Sequence, residues 1–141
     1  MQAVGHLGYE SGYHVCAAGL KEEFDPAWLY DLIWYEQDEN EFLLNVTLAV
    51  ESEWGENFKH IKYDFEKLLA AKATHHLMVF QTRNFHKEER LQYFRDAVLI
   101  YRHRQPGDRY LIALLDTVDE TFHFELIILT SIDTVESITV F

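Results

Sequence analysis

The sequence predicts an α/β fold: a mixed β-sheet whose first three strands form a meander, with helices packed against it. Three observations point there. Between residues 13 and 54, apolar runs alternate with short polar breaks, the pattern of strands joined by turns. A helical repeat of apolar residues follows, and then a short apolar strand, an order that favours parallel pairing through a crossover. A further helix and two more strand-like runs close the chain.

Residues 1–10 are too short to assign firmly and fit the tail of a helix. Tyr13 to Ala18 read as a first strand, closed by Gly19. Trp28 to Tyr35 (WLYDLIWY) read as a second, rich in aromatic and branched residues. The polar stretch Glu36 to Glu41 is a hairpin turn, because Gln-Asp-Glu-Asn cannot bury itself. Phe42 to Glu53 form a long third strand. On it Leu44, Val46, Leu48, Val50 and Trp54 line an apolar core face, whereas Asn45, Thr47, Ala49, Glu51 and Glu53 line a small, polar one.

Asn57 is placed to cap a helix running to about Ala73, with Phe58, Ile61, Phe65, Leu68 and Leu69 as its buried stripe. His75 to Gln81 is the apolar strand expected to pair in parallel. A second helix covers about Lys87 to His103, with Leu91, Phe94, Val98 and Tyr101 inward, and Pro106-Gly107 end it. Asp108 to Asp116 and Thr121 to Leu129 read as a hairpin across Val118-Asp119-Glu120, and the tail after Thr130 as an added edge strand.

The chain has 141 residues, 48% of them hydrophobic, enough for one domain with a real core and incompatible with general disorder. One cysteine, Cys16, cannot form an internal disulfide, so a reducing, cytoplasmic setting is expected. It reads as a buried strand residue. No apolar run approaches membrane-spanning length and no signal peptide is recognisable, so no membrane association is expected.

The formal charge of −12 disfavours DNA as a partner, because phosphate backbones attract cationic surfaces. Most of the excess lies in residues 1–70, which carry four Lys/Arg against 14 Asp/Glu. Within residues 83–104 the sign reverses, with Arg83, Lys87, Arg90, Arg95, Arg102 and Arg104 against Glu88, Glu89 and Asp96. That run reads either as a cationic patch or as a solvated helix with ordinary charge pairs.

Metal chemistry is best sought among the acids. The eight histidines include adjacent His75 and His76, which point to opposite faces of a strand. His14 and Cys16 share a face but lack two further ligands at zinc spacing. No phosphate-binding glycine loop is present. Glu51 and Glu53, by contrast, stand two apart on a strand, roughly 6.5–7 Å along one face. With Asp31 from the neighbouring strand they form an oxygen donor set suited to a hard cation such as Mg2+. The plainer readings are a solvated acidic edge for the glutamates and a backbone-bonded or Arg-paired role for Asp31. Trp54 reads as core.

An antiparallel meander carrying Asp31 and then Glu51-Ser52-Glu53, followed by a helix and an apolar parallel strand, resembles the PD-(D/E)XK nuclease superfamily, the restriction-endonuclease-like fold. The resemblance covers about residues 1–81, with 82–141 as an extension of the same domain. It implies Mg2+-dependent (or Mn2+-dependent) hydrolysis of DNA phosphodiesters, with Asp31 and Glu51 as metal ligands and Glu53 where the superfamily usually has Lys. Tyr30 replaces the usual Pro before the first acid. The missing Lys leaves three alternatives open: Glu53 serves as base or extra ligand, a helix lysine (Lys59 or Lys62) takes over, or catalysis has been lost. If lost, the chain is expected to act as a protein-interaction or regulatory module whose acidic surface engages a basic protein. A homodimer is expected in either case from exposed aromatics and the C-terminal apolar strands. Glu10 is the nearest N-terminal acid if the site takes one from the opening helix. A third option is that the chain is one part of a larger nuclease.

Overall fold

The computed structural model describes residues 1–20 and 22–140. Helix α1 spans Gln2–Glu10, and strands β1, β2, β3 and β4 span His14–Ala17, Asp25–Pro26, Leu32–Gln37 and Leu43–Glu53. Helix α2 (Phe58–Ala70) leads to β5 (His75–Thr82), and α3 (Lys87–Ile100) to β6 (Arg109–Asp116), β7 (Thr121–Ser131) and β8 (Thr134–Val140). The described strands form one mixed sheet in the order β2-β1-β3-β4-β5-β6-β7-β8. No helix among the described residues is long and apolar enough to cross a membrane.

The expected meander and crossover are both present. Strand β3 pairs antiparallel with β1 and with β4, and β4 and β5 pair in parallel across α2. A second parallel step, β5 to β6 across α3, was not anticipated, and it joins the C-terminal extension to the same sheet. Two crossovers of the usual hand that step in the same direction place their helices on the same face. Accordingly Ile61, Phe65 and Leu68 of α2 and Leu91, Phe94 and Val98 of α3 share one core with Met78, Phe80, Ile112 and Leu114.

The other face is covered by α1, at one end of the sheet. Its Gly8 lets the helix backbone lie against the Trp34 ring, whose Nε1 donates to Val4 O at 3.1 Å. Val15, Ala17, Leu32, Leu48 and Val50 form the core beneath that layer.

Several boundaries differ from expectation for local reasons. The second predicted strand begins at Leu32, not Trp28, and Trp28 and Leu29 are exposed. The composition of the aromatic run favours a strand, but it forms the approach to β3, following the short strand β2. Helix α2 stops at Ala70 and α3 at Ile100, each three residues short of the expected end. The Asn57 cap is as expected, its side chain accepting from Lys59 N.

The face assignment on β4 needs correction. The register shifts between Trp34 and Tyr35, whose partners are Leu48 and Val46, so Thr47 is an extra residue. This bulge moves Val46 to the same side as Ala49, in the α2/α3 core, while Leu48 and Val50 face α1. Both faces of the strand's second half are therefore buried. Leu44 and Trp54, expected in the core, are exposed. Cys16 is half-buried.

Candidate acidic site at the end of β4

Asp31 stands in the bend that leads into β3. Its Oδ2 accepts from Ser52 twice, at 2.8 Å from the backbone N and 2.9 Å from Oγ. Because Leu32 pairs with Val50, this clamp closes the meander one step beyond its ladder. The backbone-bonded role considered for Asp31 is thus present. Its Oδ1 makes no hydrogen bond among the described residues, so one oxygen remains for other work.

Glu51 lies across the same strand end and faces the helices. It is 1% exposed. Lys67 Nζ of α2 approaches its Oε1 to 2.6 Å, and Asp64 Oδ1 lies 3.5 Å from the same ammonium. The approach makes an ion pair, yet Oε1 receives no well-formed hydrogen bond. Burial pushes the Glu51 carboxyl up to about 7; Lys67 opposes that, and the charges of Asp31 and Asp64 add to it. Burial likewise raises Asp64, with Lys67 opposing and Glu53 and Asp31 reinforcing. The Lys67 ammonium is lowered by burial, but Glu51, Asp64 and Asp31 outweigh this and leave it raised.

Glu53 completes the group from the exposed side. Its Oε1 accepts from Gly55 N at 2.6 Å and its Oε2 lies 3.8 Å from His60 Nδ1. His60, Asp64 and Lys67 follow the i, i+4, i+7 spacing of one helix face, beside the buried stripe of Ile61, Phe65 and Leu68. That face runs along the end of β4: His60 beside Glu53, Lys67 beside Glu51. Lys67 thus contacts Glu51 and Asp64, while Asp31 and Glu53 act on this group through their charge.

Lys67, Asp64 and Tyr30 are the members that sequence reasoning missed. Tyr30 is half-buried, and its hydroxyl is raised by burial and then by the charge of Glu51. The lysines considered earlier lie elsewhere. Lys62 Nζ sits over the rings of Tyr93, 4.3 Å from the centroid, and Phe58, 4.8 Å, away from Glu51. Lys59 is exposed at the first turn of α2. Glu10 ends α1 on the opposite face of the sheet.

The donors are hard oxygens. The buried Glu51 Oε1, now paired with Lys67, and Asp31 Oδ1, the oxygen not held by Ser52, are the atoms a Mg2+ or Mn2+ ion would use. Among the described residues no group of three or more His, Cys, Asp or Glu is already arranged around a metal position. Asp31, Glu51 and Glu53, expected to form one donor set, are instead engaged separately: Asp31 by Ser52, Glu51 by Lys67 and Glu53 by Gly55 N. As hard oxygens the donors suit a hard cation, and Lys67, its side chain 32% exposed, is the group such an ion would displace from Glu51.

The cationic run 83–104 is largely neutralised within the molecule. Arg95 makes a paired contact with Glu125, 2.8 Å at both Nε and Nη2, and a third with Glu88 at 2.7 Å. Arg90 is buried and donates to Gln81 O at 3.2 Å. Arg83 pairs with Glu56 and Arg104 with Asp133. The solvated-helix reading, with its own charge pairs, describes this segment better than an open patch does. His75 and His76 do point to opposite faces, and His76 is buried with its ring nitrogens 3.0 and 3.3 Å from the carbonyl oxygens of Arg109 and Ala71.

Comparison with protein-family models, with curated proteins and with solved structures finds no match to this chain. The functional reading rests on the chemistry of the site.

Proposed function

We propose that the chain is a divalent-cation-dependent phosphodiesterase of the PD-(D/E)XK type acting on DNA, with its cationic catalytic group moved onto α2 as Lys67. One observation carries this reading: Glu51, near the end of β4, pairs with the Lys67 ammonium of α2 at 2.6 Å, and the charge of Asp31, from the bend before β3, reaches the same ammonium. The order meander, crossover helix, parallel strand supports it.

On this reading Asp31, Glu51 and Glu53 hold Mg2+ or Mn2+, which supplies an acidified water and charge neutralisation on the phosphate. The remaining work belongs to the chain. Asp31 is oriented by Ser52, which fixes one carboxylate oxygen and leaves the other toward the site. Glu51 must ionise to bind a cation; burial opposes that first, Lys67 favours it, and the charges of Asp31 and Asp64 oppose it again. Lys67, freed from Glu51, is positioned to face the scissile phosphate. Glu53, its Oε1 anchored by Gly55 N and its Oε2 beside His60, is the group that would accept a proton from the attacking water. The single half-buried cysteine is consistent with a cytoplasmic setting.

The test is cleavage of plasmid, single-stranded and branched DNA with Mg2+ or Mn2+, comparing wild type with Asp31→Asn and Lys67→Met. Asn keeps an acceptor for Ser52 and so separates chemistry from folding, which Asp31→Ala does not. Activity that needs the metal and both side chains supports the reading; absence of cleavage together with absence of metal binding refutes it.

A second reading has its own support. The Glu51–Lys67 ion pair already neutralises the site, and internal pairing of residues 83–104 leaves a surface dominated by the −12 charge. A catalytically silent module of the same fold that binds a basic protein is consistent with both. Tight binding to such a protein without metal affinity favours it.

A further inference from the structure

We infer that this protein forms a two-fold dimer through the open face of β6, β7 and β8, with the sheets packed face to face and the two-fold axis running along β7. The inference is independent of the acidic site, which lies on the opposite face.

The face is open because of the topology. Both crossover helices lie on one side of the sheet, and α1 covers only the β1–β4 end of the other. Ladder partners project to the same side. Two successive rungs across β6, β7 and β8 are therefore wholly apolar: Leu111–Leu126–Ile138 and Ala113–Phe124–Val140. Phe124, Ile138 and Val140 are 36%, 48% and 42% exposed. A helix-facing role for these positions is excluded by their neighbours: Glu125 binds Arg95 of α3, and Ile127 and Leu129 are in the α2/α3 core.

The next rung carries the charges that choose the occupant. It reads Arg109–Ile128–Glu136, a cation on β6 and an anion on β8, both exposed and neither in an ion pair among the described residues. Rotation by a half turn about an axis along β7 lays β6 of one copy over β8 of the other while keeping each rung at its own level. Arg109 then faces Glu136 of the second copy, and Glu136 faces its Arg109, across the roughly 10 Å that separates packed sheets. The two apolar rungs meet each other in the same operation. A half turn about an axis across the strands, centred on the Leu126 rung, sets Arg109 against Ala113 and Glu136 against Val140, leaving both charges opposite apolar groups. The face is thus self-complementary in one arrangement and not in the other, the signature of an isologous contact.

The size agrees with a dimer core. Including Leu77 and Val79 of β5, the face measures on the order of 20 Å by 25 Å, or roughly 500 Å² before its rim, against about 800 Å² per partner in a standard interface.

The experiment is sedimentation equilibrium of the full chain over a wide concentration range, with circular dichroism as the control for folding. Wild type is expected to dimerise. Phe124→Lys and Ile138→Lys should each give a folded monomer. Arg109→Glu and Glu136→Arg should each weaken the dimer by about tenfold, because two symmetry-related pairs turn repulsive at once. The double charge swap should restore it. A wild type that stays monomeric overturns the inference, as does a dimer that survives Phe124→Lys, which would be edge pairing through β8. A double swap that fails to recover association overturns the proposed axis and with it the inference.

Discussion

Lys67 Nζ lies 2.6 Å from Glu51 Oε1, an ammonium from the crossover helix set against a carboxylate at the end of the strand that precedes it. The pair is lopsided in burial. Glu51 has almost no contact with solvent while Lys67 keeps about a third of its side chain exposed. Its cation can therefore leave more easily than its anion, and that asymmetry makes the site responsive to metal, pH and substitution at Lys67.

Removing the ammonium should move Glu51 further toward its neutral form. Lys67→Met deletes the influences that hold the carboxyl down and leaves burial, Asp31 and Asp64 to raise it above about 7. Carboxyl titration by NMR checks this. A Glu51 that titrates lower in the variant contradicts it.

Stability should fall as pH rises through the same range. The folded Glu51 holds its proton up to about 7, whereas an unfolded glutamate releases it near 4.5, so the folded state binds more protons between those values. Its contribution is fully present below about 4.5 and is lost as pH climbs through about 7. Asp64, raised by burial, acts with the same sign. Glu51→Gln should flatten this slope and gain on the order of 2 kcal/mol at pH 8. Denaturant unfolding of both proteins at pH 5 and pH 8 checks it, and parallel pH profiles would contradict it.

Arg95→Met should destabilise the fold by on the order of 3 kcal/mol, because it strands the buried Glu125 carboxylate. Adding Glu125→Gln should recover most of the loss. Thermal unfolding of the two single variants and the double gives the coupling energy, and a near-zero coupling would show the pair to be incidental.

Gly8→Ala should cost about 1–3 kcal/mol, since the new Cβ would come within 2.6 Å of Trp34 Cδ1 and must push α1 off the ring. The same shift stretches the bond from Trp34 Nε1 to Val4 O. Trp fluorescence and unfolding midpoints report both effects together; an unchanged midpoint would mean that the helix sits more loosely.

Much of this fold is legible in the sequence. Period-two runs and the Asn57 cap give the meander and α2, and the apolar run at His75 gives the parallel strand. What escapes is what a period cannot carry. The Thr47 bulge reverses the alternation of β4, so Val46 was assigned to the wrong side. The run at Trp28 satisfies strand composition but has no partner strand until Leu32. Within the candidate site, Asp31 and Glu51 stand out in the sequence because acids in apolar runs are costly and so conspicuous. Lys67 was not, although the i, i+4, i+7 spacing of His60, Asp64 and Lys67 marks the flank of the buried stripe. Lys59 and Lys62 lie near the start of α2, whereas the lysine that reaches Glu51 is in its last turn, because the helix folds back along β4.

The most direct measurement is anomalous diffraction from crystals soaked in Mn2+. The account predicts a peak bound by Asp31 Oδ1 and Glu51 Oε1, with Lys67 Nζ withdrawn from its contact with Glu51. Saturating Mn2+ that leaves no peak between these carboxylates, with the ammonium still against Glu51, would contradict it.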